Sequence, residues 1–227
     1  MSLDLDNAAV AARIGRACEA MDVRCTDQQS AQLSRYIHEM QKWNRTYNLT
    51  ALRDPEQMLI QHIFDSLAPI APLTRALGGS TRQASLCDIG SGGGLPGVVF
   101  AVMSPQWRVQ CIDAVEKKTA FVRQMVGALS LDNLQATHAR VEQLPPQHAD
   151  VVVSRAFASL LDFATWSGKH VAPDGFLVGM KGKIPDDEID ALHAGSDWRV
   201  TSVDPLAVPE LDAQRCLVWM RRNKGTP

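Results

Sequence analysis

Apolar residues recur at helical spacing through the first third of the chain, then give way to short strand-like runs after residue 83. Residues 7–21 carry the spacing of one helix, broken near Asp22. Thr26 is placed to cap a second helix reaching about Trp43, with Leu33, Ile37 and Met40 on one stripe. Asp54-Pro55 opens a third, in which Met58, Leu59, His62, Ile63 and Leu67 repeat at helical spacing. Pro69, Pro72 and the run Gly78-Gly79-Ser80-Thr81 mark a boundary, so residues 1–80 read as a helical cap on a unit formed by residues 81–227. There strand and helix alternate, with strands expected at 84–88, 108–112, 134–138, 149–154 and 175–180 and helices at 95–103, 117–130 and 160–170. That rhythm implies a parallel sheet with right-handed crossovers. The last apolar runs, 199–203 and 216–222, have no helix read between them and fit an antiparallel hairpin at the sheet edge.

The first strand runs into LCDIGSGGGLPG (residues 86–97), which places Gly90, Gly92, Gly93, Gly94 and Gly97 within eight positions. Glycines at a strand-to-helix turn allow positive φ and let a ligand lie directly on the backbone. Pro96 falls where a first helical turn tolerates a missing amide proton. Strand, glycine turn and helix form the nucleotide-binding corner of a doubly wound sheet. Gly92, Gly94 and Gly97 also satisfy the dinucleotide G-x-G-x-x-G spacing, and such a turn can be purely structural. Two acids shift the balance: Asp88, two residues before the first glycine, and Asp113, at the end of the next strand. Asp-x-Gly-x-Gly-x-Gly resembles the S-adenosylmethionine corner of class I methyltransferases, in which an acid ending the second strand holds the ribose hydroxyls. The resemblance implies an α/β, Rossmann-like fold with a mostly parallel sheet and an antiparallel edge hairpin, here with an N-terminal helical extension.

Composition narrows the partners. A chain of 227 residues, 45% hydrophobic and 21% charged, suits one soluble α/β domain with an extension. The start, MSLDLDNAA, has early acids and no apolar core, unlike a signal peptide, and no apolar run approaches the roughly 20 residues of a membrane helix. No membrane partner and a cytoplasmic location are therefore expected. The five cysteines are scattered without a C-x-x-C pair, and His138, His148, His170 and His193 lack ligand spacing, so reduced thiols and no metal are expected. A net charge of −2 argues against a nucleic-acid partner until it is mapped. Residues 186–212 hold eight acids and one base, and the rest of the chain has 22 bases against 17 acids. A basic face is thereby permitted.

Ligands of open α/β sheets lie beyond the carboxyl ends of the strands. Gly90, Gly92 and Leu95 belong to the first turn, and Asp113 lies past the second strand. Val141 and Glu142 follow the third, where this fold places an adenine; Arg155 follows the fourth and Lys181 ends the fifth. Plainer alternatives stand beside each: a solvated turn acid for Asp113, a short helix start for Val141 and Glu142, a structural ion pair for Arg155, an exposed loop base for Lys181. His62 and Asp65, three residues apart on one helix, read as a local hydrogen bond rather than a catalytic pair. Residues 42–57, KWNRTYNLTALRDPEQ, interleave bases with aromatics, which suits RNA.

The segments KWNRTYNLTALRDPEQMLIQHIFDSLA (42–68), DIGSGGGLPG (88–97), SRAFASL (154–160) and MKGKIPDDEI (180–189) occur in collinear order. Together they resemble the small-subunit ribosomal RNA guanine-N7 methyltransferases, also called glucose-inhibited division protein B, from about residue 26 to 222. The resemblance implies methylation of one guanine in the decoding region of bacterial 16S RNA, with S-adenosylmethionine as cofactor and the RNA or 30S subunit as partner. It puts Gly90, Leu95, Val141, Glu142 and Arg155 at cofactor contacts and Asp113 on the ribose, with Asp88 and Gly92 in the same turn. Asn48, His62, Arg155 and Lys181 match positions bordering the guanine or its phosphates. Lys42, Arg45 and Arg53 are the candidate phosphate contacts, with Lys169, Arg221, Arg222 and Lys224 as the alternative surface.

Arg155 and Lys181 are the catalytic candidates, as fixed donors that hold the ring. The turn Ser154-Arg155-Ala156-Phe157 lacks the Asn/Asp-Pro-Pro-aromatic run of enzymes acting on exocyclic amines, and lacks a Pro-Cys pair. Guanine N7 has an in-plane lone pair and needs positioning rather than a base. Relatives often carry Ala or Pro at one of the last glycine-loop positions, a change that adds backbone freedom here and removes no donor. The first 25 residues match less well, and a monomer is expected. Three other readings meet specific obstacles. The basic, aromatic segment counts against a small-molecule methyltransferase, the intact cofactor positions against a nonenzymatic RNA-binding assembly factor, and Asp88 against a nicotinamide dehydrogenase.

Overall fold

A computed structural model of the protein describes residues 7–157 and 159–223; Lys224 and the first six residues lie outside them. Helix α1 (Asn7–Ala20) is followed by α2 (Asp27–Tyr47). The Thr26 hydroxyl accepts from Gln29 N and the Gln29 side chain accepts from Thr26 N, a reciprocal cap that fixes where α2 starts. Helix α3 (residues 55–67) starts at Asp54, whose carboxylate accepts from Gln57 N, and its middle, Leu59–Phe64, is π-helical. The prolines read as a boundary instead introduce α4 (Ile70–Ala76). Pro72 sits in its first turn, where no amide need bond back along the helix.

Strands β1 (Ala84–Ile89), β2 (Trp107–Asp113), β3 (Leu134–His138), β4 (Ala149–Ser154) and β5 (Val171–Lys181) run parallel. With β6 (Trp198–Leu206) and β7 (Arg215–Arg222) they form one sheet in the order β3-β2-β1-β4-β5-β7-β6. The expected hairpin is present, with β7 inserted antiparallel between β5 and β6. Helices α5 (Gly97–Met103), α6 (Glu116–Leu129) and α7 (Leu160–Ser167) are the crossovers. An eighth helix, α8 (Asp186–Gly195), was not indicated by the hydrophobic pattern; Asp186, Asp187 and Glu188 lie in its first turn, where the helix dipole favours acids.

Every residue of α5 is buried, as a helix apolar on all sides must be. Helix α2 and the last turn of α3, Asp65–Leu67, both pack against it, and α2 also packs against α6. One apolar cluster therefore runs from Ile14, Tyr36 and Phe64 into Phe100, Trp107, Phe121 and Val151, while a second fills the other face of the sheet around Ile89, Ile112, Phe163 and Leu177. Among the described residues no helix is long and apolar enough to cross a membrane, and no group of three His, Cys, Asp or Glu is placed to hold a metal.

Candidate active site

The glycine turn folds back onto the strand ends through backbone bonds. Gly90 N and Ser91 N donate to Ile112 O at 2.8 and 3.2 Å. Gly90, Gly92 and Gly94 take φ of +67°, +59° and +97°, conformations a side chain would strain. A Cβ on Gly90 would lie 2.8 Å from Ala156 Cβ, whereas one on Gly92 would meet nothing within 4 Å, so the turn is open to a ligand at Gly92. Tyr36, buried on the α2 stripe, donates its hydroxyl to Gly93 O at 2.7 Å and so fixes the turn from the helical side.

Two acids brace the same turn. Asp88 is 1% exposed; its Oδ2 accepts from Gly97 N at 2.8 Å, and its Oδ1 has no partner among the described residues. Burial pushes the Asp88 carboxyl up to about 7, against the Gly97 bond and the nearby Arg155 charge. Asp113 accepts from Gly92 N on Oδ2 and from Val115 N on Oδ1, both at 2.8 Å. It is buried, so the solvated-acid alternative does not hold.

The turn opens into a cavity of about 180 Å³ that brings together Met40, His62, Gly90, Gly92, Leu95 and Arg155. A neighbouring groove of about 450 Å³ shares His62 and Arg155 and adds Leu52, Asp65, Lys181 and Arg215. Neither is lined by Asp88, Asp113, Val141 or Glu142. Val141 starts a short 3-10 turn after β3, and its carbonyl accepts from His170 Nε2 at 3.0 Å. Glu142 O accepts from Lys169 Nζ at 2.8 Å, which gives Lys169 a structural bond on the surface named as the alternative RNA face.

The arrangement of charged groups departs from the expected one at several points. His62 does not bond Asp65: its Nε2 meets Thr50 Oγ1 at 2.9 Å, and its Nδ1 is buried without a partner among the described residues. Burial, then the Arg155 charge, push its imidazole down to about 4. Asp65 instead accepts from Arg155 Nη1 at 2.8 Å and from Arg215 Nε at 2.7 Å, so the structural ion pair weighed for Arg155 exists, and it sits in the groove wall. Lys181 is not an exposed loop base; its Nζ donates to Glu188 Oε2 at 2.7 Å and Phe157 O at 3.1 Å.

Lys42, Arg45, Asn48 and Arg53 line neither cavity. Arg53 donates to Asn44 O at 2.8 Å and to the Asn48 side chain, closing the end of α2, while Lys42 pairs with Glu39 at 2.7 Å. Asn44, buried, donates to Leu52 O and accepts from Thr50 N, which presents Thr50 and Leu52 to the site. Tyr36 and Arg215 are not among the residues singled out from sequence, and Asp65, expected as a local partner of His62, instead holds two arginines. Tyr36 lies one turn before Met40 on the apolar stripe, a usable signal; Asp65 and Arg215 meet across 150 residues, for which local spacing gives none.

Comparison with known proteins places this geometry. Residues 29–218 match the family described as GidB, rRNA small subunit methyltransferase G. The chain belongs to that family. It is 60% identical over 214 residues to Ribosomal RNA small subunit methyltransferase G of Bordetella petrii, covering 94% of this chain and 84% of that one. The Bordetella avium protein of the same name is 57% identical over 226 residues, covering 100% of each. Among solved structures, a SAM-dependent methyltransferase from Aquifex aeolicus superposes with TM-score 0.55 at 18% identity, covering 76% of this chain and 96% of that one. Ribosomal protein L11 methylase from Lactobacillus delbrueckii subsp. bulgaricus gives TM-score 0.54 at 12% identity, covering 70% and 78%. These two show the fold, that of class I methyltransferases, which this family member shares.

Proposed function

We propose that the chain transfers the methyl group of S-adenosylmethionine to N7 of a guanine in the RNA of the small ribosomal subunit, acting as a monomer in the cytoplasm. Membership of the rRNA small subunit methyltransferase G family carries the reading. The glycine turn between β1 and α5, braced by two buried acids, supports it. The residues fit the cofactor: a turn open at Gly92, a carboxylate at the end of β2, and a buried Asp88 oxygen with acceptor capacity to spare for an ammonium group. Asp88, Gly90, Gly92, Leu95, Asp113, Val141, Glu142 and Arg155 would hold it. When bound, it supplies a methyl group activated by a sulfonium.

Guanine N7 enters with its lone pair free, so no proton need leave before transfer. Arg155 and Lys181 then act as fixed donors, to guanine O6 or to the flanking phosphate, that hold the ring in line. His62, its imidazole pushed down to about 4, is neutral at physiological pH and shapes the cavity beside Arg155. Residues 1–80 serve as a cap that carries part of the RNA-facing wall, through Thr50, Leu52 and His62. The test is incubation with methyl-labelled S-adenosylmethionine and bacterial small subunits, followed by mapping of the label. A single labelled guanine, sensitive to aniline cleavage after borohydride reduction, is expected. Label on an exocyclic amine, a ribose or a pyrimidine contradicts the proposal.

A further inference from the structure

The groove beside the glycine turn sets two arginines on one buried carboxylate. The Asp65 side chain is 7% exposed, and Arg155 and Arg215 reach its two oxygens separately. One guanidinium suffices to neutralise a buried carboxylate. The second leaves a net positive charge in a groove whose other cation, Lys181, is already matched by Glu188. The donor inventory agrees. Arg155 commits Nη1 to Asp65 and Gln61 O, while Arg215 commits Nε to Asp65 and Nη1 to Gln214 O. Nε and Nη2 of Arg155 and Nη2 of Arg215 make no hydrogen bond among the described residues. A guanidinium is a rigid fork of five donors, and one held by a carboxylate loses little further freedom on meeting a phosphate. The three residues come from α3, the turn after β4 and the start of β7, so the pair exists only in the folded chain.

We propose that Arg155 and Arg215, held on Asp65, form a subsite for a backbone phosphate of the RNA beside the methylated base. Arg215 is thereby a further substrate-positioning residue, and Asp65 positions both guanidinium groups. The inference rests on the RNA methyltransferase reading above. Its chemistry is that of bidentate, charge-assisted bonds to phosphate oxygens.

Equilibrium binding of bacterial small-subunit RNA to the protein with S-adenosylmethionine, measured across salt concentrations, tests it together with methyl transfer. Arg215→Ala is expected to weaken RNA binding about tenfold and to reduce the slope of log affinity against log salt by about 0.7–0.9, one phosphate contact. Cofactor affinity and the melting temperature stay at their wild-type values. Arg215→Lys keeps the slope, because charge is retained, and recovers only part of the affinity. Asp65→Asn adds net positive charge, so a purely Coulombic role tightens RNA binding, whereas lost positioning lowers transfer at saturating RNA. Wild-type affinity and slope in Arg215→Ala overturn the proposal, as does a loss that tracks a lowered melting temperature with an unchanged slope. Tighter binding with full transfer in Asp65→Asn overturns its positioning role. A wild-type protein that binds RNA with this Arg215-dependent slope yet transfers no methyl supports the subsite and contradicts the methyltransferase reading alone.

Discussion

Asp88 and His62 titrate in opposite directions within the field of one arginine. The Asp88 carboxyl, pushed up to about 7 from 3.8, keeps a proton in the native state that the unfolded chain has released, so its contribution to stability falls as pH rises between 3.8 and 7. The His62 imidazole, pushed down to about 4 from 6.5, stays neutral where the unfolded chain binds a proton, so stability falls as pH drops from 6.5 to 4. The two slopes oppose each other over most of their range. His62→Gln should therefore become more stable relative to wild type on acidification, by on the order of 3 kcal/mol between pH 6.5 and 4, and Asp88→Asn less stable. Urea denaturation at pH 4.5, 5.5 and 6.5 reads both signs; parallel curves for wild type and mutants contradict the assignments. Asp113→Ala removes the proposed ribose acceptor and frees the Gly92 and Val115 amides, and should weaken S-adenosylmethionine binding by about 1.5–3 kcal/mol. Calorimetry decides, and unchanged affinity leaves Asp113 as a brace alone. At this scale the sequence was readable where a rule ties residue to place: Asp88, Asp113 and Arg155 follow from strand ends. Asp65 with Arg215 did not follow, because pairing across the sheet leaves no local periodicity.

Among the elements, the end of α2 and the loop after it carry the proposed phosphate contacts. Arg53 is bound to Asn44 O and the Asn48 side chain, so Arg53→Ala is expected to lower the melting temperature more than it changes the salt dependence of RNA binding. Lys42 and Arg45 lie on the exposed face of α2, and Lys42→Ala and Arg45→Ala should each flatten that dependence by about one unit without affecting cofactor binding. A flattened slope in Arg53→Ala with unchanged stability would reverse the assignment. The strands were legible because apolar β-formers run between turn signals, and α2 because Thr26 caps it and Leu33, Ile37 and Met40 repeat on one stripe. Helix α4 hid behind Pro72, whose first-turn position tolerates it. The π segment Leu59–Phe64 hid because one widened turn keeps an approximate helical spacing while shifting which side chains share a face, and His62 and Asp65 end on different partners.

For the whole molecule, the helical segment and the sheet share one core. The boundary near residue 80 separates two kinds of local structure, yet Ile14, Tyr36 and Phe64 pack in the same cluster as Phe100 and Phe121. A fragment of residues 81–227 leaves α5, buried at every residue, exposed on its outer side, so it should be insoluble or lack a cooperative transition by calorimetry. A soluble fragment with a sharp transition contradicts the shared core. The alternation of strand and helix showed the sheet; the fully apolar α5, which in the structure needs the cover of α2 and the end of α3, was the sign that the cap is not dispensable.

In the proposed function the site positions a nucleophile that needs no activation, and single-turnover methylation of small subunits against pH, at saturating cofactor and RNA, tests this most directly. The rate should be flat between about pH 6 and 8.5 in wild type and in His62→Gln, since no essential base titrates there. Lys181→Ala should lower the rate with cofactor affinity intact, and Arg155→Ala should impair both. A basic limb near pH 7 that disappears in His62→Gln would show a general base at work and contradict the mechanism.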